Sequence, residues 1–204
     1  MTTDTTLIHA LRRGDDDAFR HVVTEYHPSL VRTARRFVHD RAAAEEVTQE
    51  TWLAVIRNIG SFEERSSFRT WVFAILANQA RSRRSIDLRR AEREGPFTSV
   101  DGRWFQGIDE EEPGHWRQSP ADWALLPEAQ LLGAESLAVA QQAIDLLPDS
   151  QRQVITLRDV EGFSGTEVAA ILGITDANER VLLHRARAKV RAALDAYFEG
   201  AAAS

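Results

Sequence analysis

The chain has no cysteine among its 204 residues, which removes both a disulfide framework and a thiolate metal site and fits a reducing compartment. It has no apolar run near the ~20 residues that a membrane-spanning helix needs, and its start, MTTDTTLIHALRRGDDD, lacks the basic-then-apolar order of a secretory signal. A cytoplasmic protein without membrane insertion is therefore expected. Alternating apolar and polar residues of the strand type are missing, as are Asn-Gly hairpin signals, so an all-α fold is expected. There is no glycine-rich phosphate loop, no set of ligands at metal spacing and no nucleophile beside a base. Neither an enzyme nor a bound metal or cofactor is expected. Excess positive charge is absent too, the formal net charge being −6. Any nucleic-acid contact must come from local patches, because phosphate attraction follows the local count of Lys and Arg.

The charge is segregated into such patches: residues 81–93 are basic, residues 101–135 are acidic and hold the run Asp109, Glu110, Glu111, Glu112, and the terminal helix is basic again. Ser164 with Glu167 three residues on has the form of a capping box, in which each side chain satisfies a backbone N–H of the other's residue. Val168, Ala169, Ile171 and Leu172 give the helix that starts there an apolar side. Gly173 supplies the residue able to take positive φ at its end, and Thr175 is placed to cap a second helix. Two short helices joined at a glycine make a helix-turn-helix, whose second helix enters the major groove in DNA-binding proteins. That helix carries Arg180, Arg185, Arg187, Lys189 and Arg191, with no acid between Arg180 and Lys189. Such residues neutralise phosphates and offer donors to base edges. A helical hairpin with a solvated basic face stays open as the alternative.

The first 93 residues have helical periodicity throughout. Leu7, Ile8 and Leu11 mark a first helix ended by Gly14, and Asp15, Asp16 and Asp17 suit the positive end of a second, which carries Phe19, Val22, Val23 and Tyr26. Pro28 is expected to open a third through Leu30, Val31, Ala34, Phe37 and Val38. Asp40 is expected to cap a fourth that runs to Gly60, and after a loop at 61–67 a fifth begins near Phe68. On the fourth, Glu46, Gln49 and Glu50 stand three and four residues apart and share a face, able to meet a basic or polar partner or simply to be solvated. Between about 95 and 133, four prolines and several glycines break any long helix. Phe97, Trp104, Phe105, Trp116 and Trp123 make that segment too aromatic for a self-solvating linker, so they are expected to anchor it on this chain or on a partner. Helical spacing returns near Glu135, and another helix follows Leu147 and Pro148.

Taken together, Gly14, Asp15, Ala18, Phe19, Tyr26, Pro28, Leu30, Asp40, Ala44, Glu45, Glu46, Val47, Gln49, Glu50 and Thr51, then Ser66, Ser67, Phe68, Arg69, Thr70, Trp71, Ile75 and Asn78, followed far along by LPDSQRQVITLRDVEGFSGTEVAAILGIT and HRARAKVR, make the chain resemble a family. It resembles the bacterial RNA polymerase sigma factors of the sigma-70 family, in their extracytoplasmic-function (ECF) group. The resemblance implies two helical domains, region 2 at 1–93 and region 4 at 135–200, joined by an acidic, aromatic linker at 94–134. It implies core RNA polymerase and promoter DNA as partners, the DNA both as duplex and as melted non-template strand. Whether an anti-sigma factor also binds is left open by the sequence. Glu46, Gln49 and Glu50 match the residues that contact the polymerase. Phe62, Arg65, Ser66 and Ser67 are expected around a base flipped from the minus-ten element, with Trp71 as a stacking or core residue and Asn78, Arg81, Arg83 and Arg84 on backbone or adjacent bases. Arg180, His184 and Arg185 match residues that face the minus-thirty-five element, Asn178 is suited to adenine, and Arg187 to phosphate.

The chain departs from the family at Ala77 and Ser82, which stand where Arg and Asp are common, and through Ala177, Asn178, Glu179, Arg180, Val181 and Leu182 in the recognition helix. A glutamate at the core position 179 is costly if buried unpaired. The expectation is a slight roll that packs Val181 or Leu182 with Leu183, Ala186 and Val190. A stand-alone helix-turn-helix regulator with a helical sensing or dimerising half is the competing reading.

Overall fold

The structure is a computed structural model that describes residues 2–38, 40–94 and 134–202. The aromatic anchors Phe97, Trp104, Phe105, Trp116 and Trp123 lie outside the described residues. Every regular element among the described residues is helical: α1 (Thr2–Arg12), α2 (Asp16–Phe37), α3 (Arg41–Asn58) with a 3₁₀ turn (Ile59–Ser61), α4 (Phe68–Glu94), α5 (Ala134–Asp145), α6 (Asp149–Ile155) running into a π-helical turn (Thr156–Val160), α7 (Gly165–Leu172) and α8 (Asp176–Ala202). None of them is long and apolar enough to cross a membrane.

The starts of these helices are set by short polar side chains at the expected places. The Asp15 carboxylate accepts from the N–H groups of Asp17 and Ala18, and that of Asp40 accepts from Ala43 at 2.9 Å. One expectation fails. The helices foreseen on either side of Pro28 are a single helix, α2, with the proline inside it. An internal proline withdraws one N–H and costs roughly 3 kcal/mol. The apolar face that continues across it buries Val22, Leu30, Ala34 and Phe37, and at about 1.5–3 kcal/mol for each large side chain this outweighs the break. Pro28 itself is exposed, on the opposite side.

Two compact units emerge. Among the described residues, the first gathers 2–38 and 40–87 with 147–186, and the second gathers 88–94 and 134–146 with 187–202. In the first unit α2 and α3 pack on each other, and Phe37, Phe68, Phe73, Leu76, Ile155, Leu157 and Ile171 are fully buried. In the second, Ile144, Val190 and Leu194 are buried, and the Tyr197 hydroxyl donates to Glu135 at 2.8 Å. That bond holds the tyrosine in its protonated form and raises its pKa.

Candidate nucleic-acid interface

On α3 the outer face is built by spacing alone. Val47, Thr48, Thr51, Trp52 and Val55 turn inward, which leaves Glu46, Gln49 and Glu50 exposed together. Glu46 pairs with Arg83 of α4. Two residues not foreseen extend the same surface: Leu53 and Ile56 are 50% and 55% exposed, large apolar side chains one and two turns beyond the acidic group. Their signal in the sequence was an apolar residue out of phase with the buried set.

The loop 61–67 and the start of α4 hold a cluster of rings. Phe62 is only 4% exposed, its ring 4.9 Å from Trp71 and 6.1 Å edge-on to Phe68. The expectation that Phe62 lines a pocket for an extruded base is therefore corrected: its ring fills the core beneath the loop, and its carbonyl accepts from Arg12. Trp71 is half-buried, its ring packed against those of Phe62 and Phe68. Arg65 and Ser66 are exposed, with Arg65 2.7 Å from Glu63. The Ser67 hydroxyl accepts from the Thr70 N–H at 3.1 Å and lies 2.8 Å from the Thr70 hydroxyl, so it caps α4.

Further along α4 the basic side chains are engaged. Arg81 donates to the Leu172 carbonyl at the end of α7 at 2.9 Å and to the Asn78 side chain at 3.2 Å. Arg84 pairs with Asp149 at the start of α6, and burial, followed by the nearby charge of Arg152, lowers its pKa. Arg152, itself buried, donates to the carbonyl of Arg36 at 2.6 Å and of Leu147 at 3.0 Å. The Glu161 carboxylate, 1% exposed, lies 3.0 Å from Arg32 and 3.4 Å from Arg69. Arg69 also donates to the Glu161 carbonyl at 2.8 Å and stacks over Phe163 at 4.1 Å. The contacts of Arg32 and Arg69 with Glu161 and of Arg81 with Leu172 join residues about ninety or more apart and bring the helix-turn-helix segment against α2 and α4 within one unit. No periodic pattern announces them.

The helix-turn-helix takes the expected local form. Ser164 and Glu167 complete a capping box, Gly173 adopts φ 65°, and Thr175 accepts from the Asn178 N–H at 3.2 Å. Burial pushes the Glu167 carboxyl up, but the N–H and hydroxyl of Ser164, the Thr70 hydroxyl and the Arg69 charge together hold it below its ordinary range. The expected roll of α8 does not occur. Glu179 is buried, 2% exposed, and is paired with Arg158 at 3.2 Å beside Gly165, whose missing side chain leaves it room. The pairing lets the helix keep a glutamate inward, with Leu183, Ala186 and Val190 also packed. Val181 faces out at 47% exposure instead of joining the core, and Leu182 is half-buried. Asn178, Arg180 and His184 are exposed, and Arg185 and Arg187 are half-buried.

A family profile described as Sigma-70 region 2 matches residues 22–94, and one described as Sigma-70, region 4 matches residues 137–190. Over 195 residues the chain is 31% identical to the RNA polymerase sigma-H factor of Pseudomonas aeruginosa, with 94% of this chain and 93% of that one covered. It is 28% identical over 184 residues to the ECF RNA polymerase sigma factor SigW of Bacillus subtilis, with coverage of 90% and 92%. Its fold is similar to that of the sigma factor RpoE of Bartonella quintana, solved with the anti-sigma factor NepR, at TM-score 0.63 and 24% identity over 87% of this chain and 96% of that one. It is also similar to CnrH, solved with the cytosolic domain of CnrY, at TM-score 0.61 and 24% identity over 95% and 97%.

Proposed function

The chain belongs to the sigma-70 family of RNA polymerase sigma factors, in its ECF group, and from that premise we propose how its residues divide the work of promoter-directed initiation. It binds core RNA polymerase and directs it to promoters with minus-ten and minus-thirty-five elements. Sigma factors are not catalysts; this chain makes and breaks no bond of its own, and it acts in the cytoplasm.

The single observation that carries the reading is the presence, in one chain and in this order, of both matched blocks. A stand-alone regulator accounts for the second and leaves the first idle. Residues 1–93 serve the polymerase and the minus-ten element, residues 135–200 serve the minus-thirty-five element, and 94–134 link them. Glu46, Gln49 and Glu50 meet cationic groups of the polymerase, and Leu53 and Ile56 add apolar area to that contact. Arg65, Ser66 and Ser67 surround the extruded base over the Trp71 ring, while Asn78, Arg81, Arg83 and Arg84 hold strand backbone. Arg180, His184, Arg185 and Asn178 address base edges and Arg187 a phosphate.

The test is run-off transcription with core polymerase on a genomic promoter library, where the chain should confer defined start sites. Failure to do so, with tight DNA binding in the absence of polymerase, would overturn the reading. Glu46→Lys combined with Glu50→Lys should abolish capture of core polymerase in a pull-down at unchanged helicity; undiminished capture would remove the acidic face from the contact.

A further inference from the structure

The rotation of the recognition helix is fixed by an anchor that the family pattern lacks. With Glu179 held inward by Arg158, and Leu183, Ala186 and Val190 on the same side, the opposite face is determined turn by turn. Val181 lies at its centre. One turn before it stand Ala177 and Asn178, and one turn after it His184 and Arg185, so two residues without polar side-chain atoms are bordered by groups that donate hydrogen bonds. A β-branched apolar side chain 47% exposed there contributes neither to the core nor to helix propensity.

We propose that Val181, with Ala177 beside it, seats the C5 methyl group of a thymine in the minus-thirty-five element and makes this chain select that base. The inference rests on the promoter-reading role given above and names one specificity residue within it. In the major groove thymine alone carries a methyl group, and small apolar side chains are its partners. Valine also discriminates by what it lacks. Against a cytosine amino group or a guanine carbonyl it offers no hydrogen bond, so either base in its place is left unsatisfied on desolvation. Asn178, His184 and Arg185 around it address the neighbouring base pairs.

The probe is a duplex pool with the upstream element randomised, from which holoenzyme made with this chain selects binders. Selected thymines are then replaced one at a time by deoxyuridine, which differs only in the missing methyl group. At one position the replacement should weaken holoenzyme binding roughly fourfold, the effect of removing one buried methyl group from its partner. Val181→Ser should bind the thymine and deoxyuridine duplexes equally, and Val181→Thr, which keeps one methyl, should retain part of the difference. A selected element without thymine, or a deoxyuridine effect of the same size in Val181→Ser, would overturn the assignment. Start sites mapped on the same templates separate the two levels: intact start-site selection without a methyl effect discards Val181 alone, whereas lost selection by the unaltered chain discards the promoter-reading role itself.

Discussion

At position 179 a carboxylate occupies a place where an apolar side chain would pack without electrostatic cost. It is tolerated because Arg158 lies 3.2 Å away and Gly165 leaves space beside it. The two partners are not equally committed, since the glutamate side chain is 3% exposed and that of the arginine 28%. Removing Arg158 strands a buried charge, whereas removing Glu179 leaves an arginine that can turn toward water. Arg158→Ala is therefore expected to lower stability by about 3–5 kcal/mol, in the range for breaking a buried pair, and Glu179→Ala by clearly less. The paired change Arg158→Leu with Glu179→Val should recover most of the loss, because apolar replacement of a buried ion pair is often neutral or stabilising. Urea denaturation of the three variants checks the order. Equal losses in the two single variants would show that the asymmetry in exposure has no energetic meaning.

At the level of elements, what could be foreseen depended on distance along the chain. Caps act within three residues, so the Asp40 carboxylate, the Ser164–Glu167 box and Gly173 are legible in the amino-acid order and each has the expected geometry, while Asp15, legible only as one of three acids at the positive end of a helix, proves to be the N-cap of α2. The expected break at Pro28 does not form, because burial on the far side of the helix outweighs the local signal. The inward Glu179 and the buried Phe62 depart from expectation for the same reason: their partners, Arg158 in one case and Phe68 and Trp71 in the other, are set by tertiary packing. The capping box offers a pH test. The Glu167 carboxyl is held below its ordinary range, so its contribution is complete above the unfolded value of about 4.3 and is lost as pH falls through the lower folded value. Glu167→Gln should cost about 1 kcal/mol at neutral pH, the scale of a charge-assisted cap, and the gap from the unaltered chain should close toward pH 3. Urea midpoints measured at intervals from pH 7 to pH 3 report it; a gap that stays constant would mean that the charge contributes nothing.

At the scale of the molecule, the contacts made by Glu161 conflict with the geometry of a promoter. Minus-ten and minus-thirty-five elements lie about 25 base pairs apart, on the order of 80 Å at about 3.4 Å per step. A helical module of this size is only about 25 Å across. Yet Arg81 reaches the end of α7, and Arg32 and Arg69 clasp Glu161, so under the division of work proposed above, with α4 on the minus-ten and the helix-turn-helix on the minus-thirty-five element, the two cannot reach both elements in this state. On that proposal, reading a promoter requires these contacts to open. Glu161 is the partner to remove, because it is the desolvated one, while the side chains of Arg32 and Arg69 are 48% and 33% exposed and can rehydrate. Since the chain has no cysteine, Ala42→Cys on α3 and Ala170→Cys on α7 can be labelled without background, and both positions are exposed. The distance between the labels should be short and narrowly distributed in the free protein and should lengthen by tens of ångströms with core polymerase and promoter. Adding Glu161→Ala should populate the long distance without polymerase, at little change in helicity. If that variant keeps the short distance, Arg81 with Leu172 and Arg84 with Asp149 suffice to hold the closed state, and the clasp at Glu161 is not what polymerase must release.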